Sequence, residues 1–463
     1  MIRKKIRLTG LVLSVAALAA FLIACSNPAG PAGNRQTGQV QEPIQPTQPG
    51  ETVYSQLEYL EGTAQSGGIY VVVARANEPP IPGGRFSISP ASMNNADNIT
   101  ITIVSEFANT RQTLNLDTNG HMLQVEGTNT LILQNIILHG RSSNNVALVQ
   151  VNSGGTLEMR NNSVISGNNG TGVAVSGTDA SFTMIETSEI RNNRVGLSVS
   201  NAGTATLSGN AAISANSGTG MNITSGRVHM YNRAEISNNG SNTATGGVLI
   251  TGGGILVMSG NTEIHNNNGR SIGGVFSANN SRLFMHDNAT IRNNNGLGGD
   301  TYGAGGIGLQ QGARVYMHGN ASIRNNTNSS DSIGGGGVSI FFDGSLTMHG
   351  DGVRISGNSI VNDQGEFFGQ GGGVLIGSGG GIYLNISNGI IHGYSAPASY
   401  ANRSATNQAL HNRAGLRARV GTYTPSGIVG VAGTFTPNAS IPAIPSTNNT
   451  IRVWNNGNDR EGW

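Results

Sequence analysis

The sequence predicts an all-β fold, a parallel solenoid in which short strands stack coil upon coil. Three observations carry this prediction. The first is a repeated phrase: an apolar strand ending in Met, then Asn, then Ile, then Asn three residues later, then Gly-Gly and an aliphatic residue. It runs from Met258 to Asn267, from Met285 to Asn294 and from Met317 to Asn326. The second is alternation with period two, which places Leu283 and Met285 inward and Phe284 and His286 outward, then Val315 and Met317 inward and Tyr316 and His318 outward. The third is composition: with 70 glycines in 463 residues, abundant Asn and no ten-residue apolar stripe of period 3.6, helix is nearly unsupported. So short a unit cannot bury its apolar side alone, so neighbouring copies must supply one another's core.

The Ile of the phrase serves as a ruler at Ile165, Ile190, Ile213, Ile236, Ile264, Ile291, Ile323 and Ile355, with Ile390 expected as a ninth position. Spacings of 25, 23, 23, 28, 27, 32, 32 and 35 residues imply a constant coil of about 23 residues. Each later coil carries an insertion that grows toward the C-terminus, always just before the Gly-Gly pair. Growth at one point puts the loops on one edge of the stack. A coil of that length holds about three strands, each bonded to its counterpart roughly 4.8 Å away. Three residues past the ruler stand Asn168, Asn193, Asn216, Asn239, Asn267, Asn294, Asn326 and Asn358. These are expected to bond to one another as a ladder that locks register, and to take the left-handed backbone of the corner. Gly246-Gly247, Gly273-Gly274, Gly305-Gly306, Gly336-Gly337 and Gly372-Gly373 mark where the inserted loop re-enters the wall, with unusual dihedrals as the expected reason.

The ends read differently. Arg3, Lys4, Lys5 and Arg7 precede an apolar run from Leu11 to Ala24, the layout of an export signal over residues 1–24. Residues 25–51 begin with Cys25, the only cysteine, and continue rich in Pro, Gly, Gln and Thr, which predicts an extended tether. Residues 52–122 should form an N-terminal cap and the first coils, including strands at Ile69–Val73 and Ile99–Val104, and 123–393 the regular repeats. From 394 to 463 the repeat is lost and prolines return, so an irregular cap is expected, closed by a short strand near Ile451.

Charge and composition exclude several functions. Four of the 26 basic residues lie in the signal, leaving 22 against 24 acidic ones, so the body is near −2 and lacks the basic surface that holds nucleic acid. Both lysines, Lys4 and Lys5, are in the signal, which removes a phosphate-loop lysine or a lysine nucleophile. A lone thiol excludes internal disulfides and Cys-based zinc sites. Gly303 to Gly308 fits G-x-G-x-x-G only by chance in so glycine-rich a chain, and no G-x-S-x-G elbow occurs. No cofactor, and no resident metal, is expected.

Leu22-Ile23-Ala24-Cys25 resembles the lipobox of bacterial lipoproteins, in which the cysteine is acylated and becomes the mature N-terminus. The pairing of Ile-x-x-Asn with Gly-Gly-Val resembles the repeats of the chlamydial polymorphic outer-membrane proteins, and more broadly the right-handed β-helix superfamily of surface passengers and pectate-lyase-like enzymes. The likeness covers about residues 155–390. It implies a single-stranded right-handed parallel β-helix exposed on a cell surface, here with Ile in place of Phe and a lipid anchor in place of a C-terminal barrel. Ser26 after the cysteine, by resemblance to lipoprotein sorting, implies the outer membrane.

For chemistry, the nearest approach to a carboxylate pair is Glu235 and Glu263, each just before its ruler Ile on successive coils. Stacking would bring them within about 5 Å, the separation of a retaining glycosidase pair. His286, His318 and His349 fall on three consecutive coils, as a column able to hold a divalent ion or to repel itself below about pH 6.5. Phe284 and Tyr316 lie beside them, as aromatic platforms for sugar rings do. The expected function is a non-catalytic binding or adhesion module, monomeric, held to a membrane by Cys25 and meeting a glycan or a partner-cell surface protein. A polysaccharide lyase or glycoside hydrolase is the alternative, and a structural envelope spacer the third reading.

Overall fold

A computed structural model describes residues 52–240, 245–298, 303–329, 334–362, 365–366 and 371–377, with short pieces at 382–387, 390–392, 402, 410–412, 418–420 and 450–451. The signal over 1–24, the tether with Cys25, and nearly all of the cap over 394–463 lie outside the described residues.

The chain coils as an all-β, right-handed parallel solenoid. Successive coils place their strands in three sheets, whose stacked orders hold 13, 12 and 12 strands, all paired in parallel except that Ile391–His392 pairs antiparallel with Thr450–Ile451. The first sheet includes Thr130–Gln134, Thr156–Arg160 and Ser181–Met184; the second takes Ile136–His139, Val164–Ser166 and Glu189–Arg191; the third takes Val149–Val151, Thr171–Ser176 and Val195–Ser200. Period-two alternation is visible in the burial of Thr156–Arg160, where Leu157 and Met159 are inside. The rulers stack in register as Ile165↔Ile190, Ile190↔Ile213, Ile236↔Ile264, Ile264↔Ile291 and Ile323↔Ile355. All are fully buried, each worth about 1.5–3 kcal/mol relative to exposure. The ninth position is corrected by one residue: Ile355 pairs with Ile391, while Ile390 sits beside Arg354 and does not continue the ruler. Going the other way, Leu138 and Leu114 extend the column below Ile165, so aliphatic bulk, not Ile itself, is what the core needs.

The asparagine ladder forms and is longer than eight rungs. From Asn193 onward each Asn donates from Nδ2 to the Oδ1 of the next, as in Asn216 to Asn239 at 2.8 Å and Asn267 to Asn294 at 3.0 Å, while Asn168 reaches Asn193 Oδ1 through its backbone N–H at 3.1 Å. Asn144 precedes the ladder through a 2.8 Å bond to Asn168, and Asn402 follows it through 2.9 Å from Asn358. The left-handed corner, however, is one residue earlier than expected. Positive φ belongs to Asn192, Asn238, Asn266, Asn293 and Asn325 and to Gly167 and Gly357, while the ladder residues themselves stay out of that region. The doubled Asn-Asn of these coils thus divides the labour: the first bends the chain and the second bonds. Only Ala215, at φ 52, bends without Asn or Gly. A Cβ next to the carbonyl costs about 1–2 kcal/mol there. Ala215→Asn is therefore expected to stabilise the protein by about 0.5–1 kcal/mol, read as a higher thermal midpoint.

Unusual dihedrals are also not why the Gly-Gly pairs exist. None of Gly246, Gly247, Gly273, Gly274, Gly305 or Gly306 has positive φ; a Cβ at these places would strike the wall of the next coil. The inserted segments between ladder and Gly-Gly are ordered at their roots as well. Asn268–Gly269, Asn295–Gly296, Thr327–Asn328 and Ser359–Ile360 form a four-stranded sheet of their own, and Gly303–Ala304 pairs with Gly334–Gly335. These arms stack as the coils do.

One element went unread. A helix, Val53–Thr63, closes the N-terminal end, begun by a capping box between Thr52 and Ser55. It buries Val53, Leu57 and Leu60, a helical spacing within a segment otherwise read for its strands. The side chain of Gln56 bonds Val73 through both its amide atoms, at 2.9 and 3.0 Å, and so covers the edge of the first strand, Ile69–Ala74.

Candidate functional site

The outer face of the first sheet brings five of the sequence candidates together. Register places Phe284 beside Tyr316 and His318 beside His349. The Phe284 and Tyr316 rings stack with centroids 5.0 Å apart and planes 9° apart, and Phe284 is 6.4 Å from His286. His318 is 6.4 Å from His286 and 5.4 Å from His349. The aromatic pair points away from the core, yet it is buried, with Phe284 at 6% and Tyr316 at 2% exposure. Each ring covers a face of the other. The histidines are the accessible members of the group, with His318 and His349 exposed. Among the described residues no set of three or more His, Cys, Asp or Glu side chains is arranged to hold a metal ion.

Partial burial, and then the charge of His318, lower the pKa values of His286 and His349 below 6.5. The sign follows from linkage: the unfolded chain takes up protons first, so this contribution to stability is whole above pH 6.5 and is lost as pH falls through the lowered native values. The thermal midpoint should drop as pH falls below about 6.5, and His349→Gln should flatten that drop.

Glu235 and Glu263 also meet, as direct register partners on the second sheet. What lies between them was missed. His265 Nε2 is 3.2 Å from Glu235 and 3.8 Å from Glu263, and Arg292 grips Glu263 through Nε at 3.1 Å and Nη2 at 2.5 Å. The hydrogen bond from His265 holds the Glu235 carboxyl below its ordinary value of 4.5. A glycosidase acid needs a raised carboxyl, so this environment drives Glu235 the opposite way. The cluster is a charge clip across three coils. The signal that finds it is positional: His265 and Arg292 each directly follow a ruler Ile, two residues from the glutamate column and so on the same face of the strand.

The two proposed contact regions do not share a side of the rod. The arms leave after the second sheet and return before the third, whereas the aromatic and histidine columns lie on the outside of the first. Compared with protein-family models, curated proteins and solved structures, the chain has no match. The fold defines it as a parallel β-helix repeat protein whose lateral insertions pair with one another at their described roots.

Proposed function

We propose that this protein is a non-catalytic binding or adhesion module, exported, anchored by a lipid on Cys25 and displayed at the outer membrane. The arms carry this reading. Four successive insertions differ in length yet remain hydrogen-bonded to one another, as Asn268↔Asn295, Asn295↔Thr327 and Thr327↔Ser359. A spacer has no need of such an edge, because the coil closes without it in the earlier repeats. Ordered loops on a rigid scaffold are where binding residues concentrate. The lipobox-like end and the repeats resembling chlamydial surface passengers support display on a cell. The exposed His318 and His349 offer a second contact surface.

Two measurements on cells expressing the full chain test this. Cys25→Ala should move the protein from the membrane fraction to the soluble one, and protease added to intact cells should cut the anchored form. Excising residues 298–302 from one arm should lower binding to host cells or a glycan panel at least tenfold, with the thermal midpoint unchanged. Protection from protease, or adhesion unaffected by loss of the arm, would overturn the reading. Cleavage of a glycan on the same panel would instead support the enzyme.

A further inference from the structure

Where the first sheet turns into the second, three early coils together line a half-open pocket of about 220 Å³. Its lining includes Ser105, Ala108, Gln134, Asn135, Asn161 and Asn162. Drug-sized sites run to roughly 300–1,000 Å³, so this one admits a smaller guest, equal to about seven waters at ~30 Å³ each. The walls are built before anything binds. Asn135, Asn161 and Asn162 all hold left-handed backbone, with φ of 49, 49 and 61. Asn135 Nδ2 donates to the carbonyls of Phe107 at 3.2 Å and Ala108 at 2.9 Å, and Ser105 Oγ donates to the Asn135 carbonyl at 2.6 Å. Thr187 donates to the Asn162 side chain.

The lining is rich in amides and holds no charged side chain. Adjoining charges bind the wall itself: Glu186 accepts from the backbone nitrogen of Asn161 at 2.7 Å, and Arg111 donates to the backbone carbonyl of Asn162 at 3.1 Å. One group is left over. Gln134 is 6% exposed, and its Oε1 is buried without a hydrogen-bond partner. With the Asn161 amide oriented to donate toward Glu186, its oxygen accepts from Gln134 Nε2 at 3.3 Å, which still leaves Oε1 alone. Buried acceptors are almost always satisfied, and one that is not calls for an explanation. Close by, Phe107 is 58% exposed, the most exposed of the large apolar side chains among the described residues.

We infer that this corner binds one neutral polyhydroxyl ring, a simple sugar. A hydroxyl both donates and accepts, as an amide does, so a ring of hydroxyls suits several amides at once, and a turn of the Gln134 amide toward the pocket would bring its buried Oε1 to one of them. A charged guest would meet no counter-charge in the lining. The corner is separate from the arms and from the histidine column, so its test is independent of theirs.

The test titrates the full chain with glucose, galactose and N-acetylglucosamine by calorimetry or ligand-observed NMR, with glucuronate and glycerol as comparators. At least one neutral sugar should bind, and more tightly than either comparator. Gln134→Leu should weaken that binding at least tenfold with little change in the thermal midpoint, because it removes an unsatisfied buried acceptor together with the long 3.3 Å bond to Asn161. Asn162→Gly keeps the backbone free to hold positive φ and deletes one amide; it should also weaken binding, and it decides the matter if the leucine variant misfolds. The proposal falls if no neutral sugar binds, if both variants bind as the parent does, or if glucuronate or glycerol binds as well as the sugars.

Discussion

Asn267→Ala is expected to destabilise the protein by about 3–5 kcal/mol, a large effect for one small side chain. Asn267 is fully buried and makes four side-chain bonds. Its Oδ1 accepts from the backbone nitrogen and the Nδ2 of Asn239, at 2.9 and 3.0 Å, while its Nδ2 donates to the Ile236 carbonyl and to Asn294 Oδ1, both at 3.0 Å. Alanine abandons the Asn239 backbone N–H and the Ile236 carbonyl in a dry interior, and each orphan costs about 1–3 kcal/mol. Urea unfolding measures the total, and hydrogen exchange at the Asn239 amide should report the local opening. A control separates burial from asparagine stacking as such. Asn288 also donates to an asparagine below, Asn261, at 3.0 Å and accepts from Asn320 above at 3.2 Å, but on the exposed corner. Water replaces those partners, so Asn288→Ala should change stability by about 0.5 kcal/mol or less. Equal losses at the two sites would show that stacking, and not the buried bonds, carries the energy.

That contrast also marks how far the sequence could be read. Ile-x-x-Asn was legible because a solenoid repeats one environment many times, and eight copies average out local accident. Single-copy features had no such averaging. The helix Val53–Thr63 occurs once, and its three buried residues were overlooked beside the β-branched run that follows. Alternation assigned Phe284 and Tyr316 outward correctly, but direction is not exposure: two large rings on adjacent coils bury one another, which needs the neighbour's identity as well as the period. The ladder was legible, its bend was not. Asn-Asn offers two residues with the same tolerance of positive φ, and only the coordinates say that Asn266 bends and Asn267 bonds. For the site, column logic brought Glu235 to Glu263 and His318 to His349. It failed at His265 because a clip runs diagonally, between columns. The amide-lined corner escaped altogether, since Gln134 and Asn161 are unremarkable in a chain full of amides until a cavity lies between them.

Gly247→Ala should be a highly damaging change for the addition of one methyl group. A Cβ there would lie 2.5 Å from the carbonyl oxygen of Gly274, 2.8 Å from the Cγ2 of Ile264 and 3.1 Å from the Nδ2 of Asn267. Relief by a rotamer is closed off, because the nearest obstacle is backbone. That carbonyl already accepts from Val248 at 2.8 Å, so moving it away breaks the bond that joins the two coils. The other two obstacles are the core ruler and the ladder, each fully buried. Coils must therefore separate locally beyond the roughly 4.8 Å of strand pairing, and the shift passes to the next coil, where Gly274 stands under the same restriction. Overpacking alone costs about 1–3 kcal/mol, and the broken ladder bonds add to it, so a loss of about 4 kcal/mol or more is expected. Gly253→Ala is the comparison. Gly253 has φ 78 but nothing within 4 Å of its would-be Cβ, so only backbone strain of about 1–2 kcal/mol applies. Should Gly253→Ala prove the more harmful of the two in urea unfolding, conformational freedom rather than space would be the reason this wall is made of glycine.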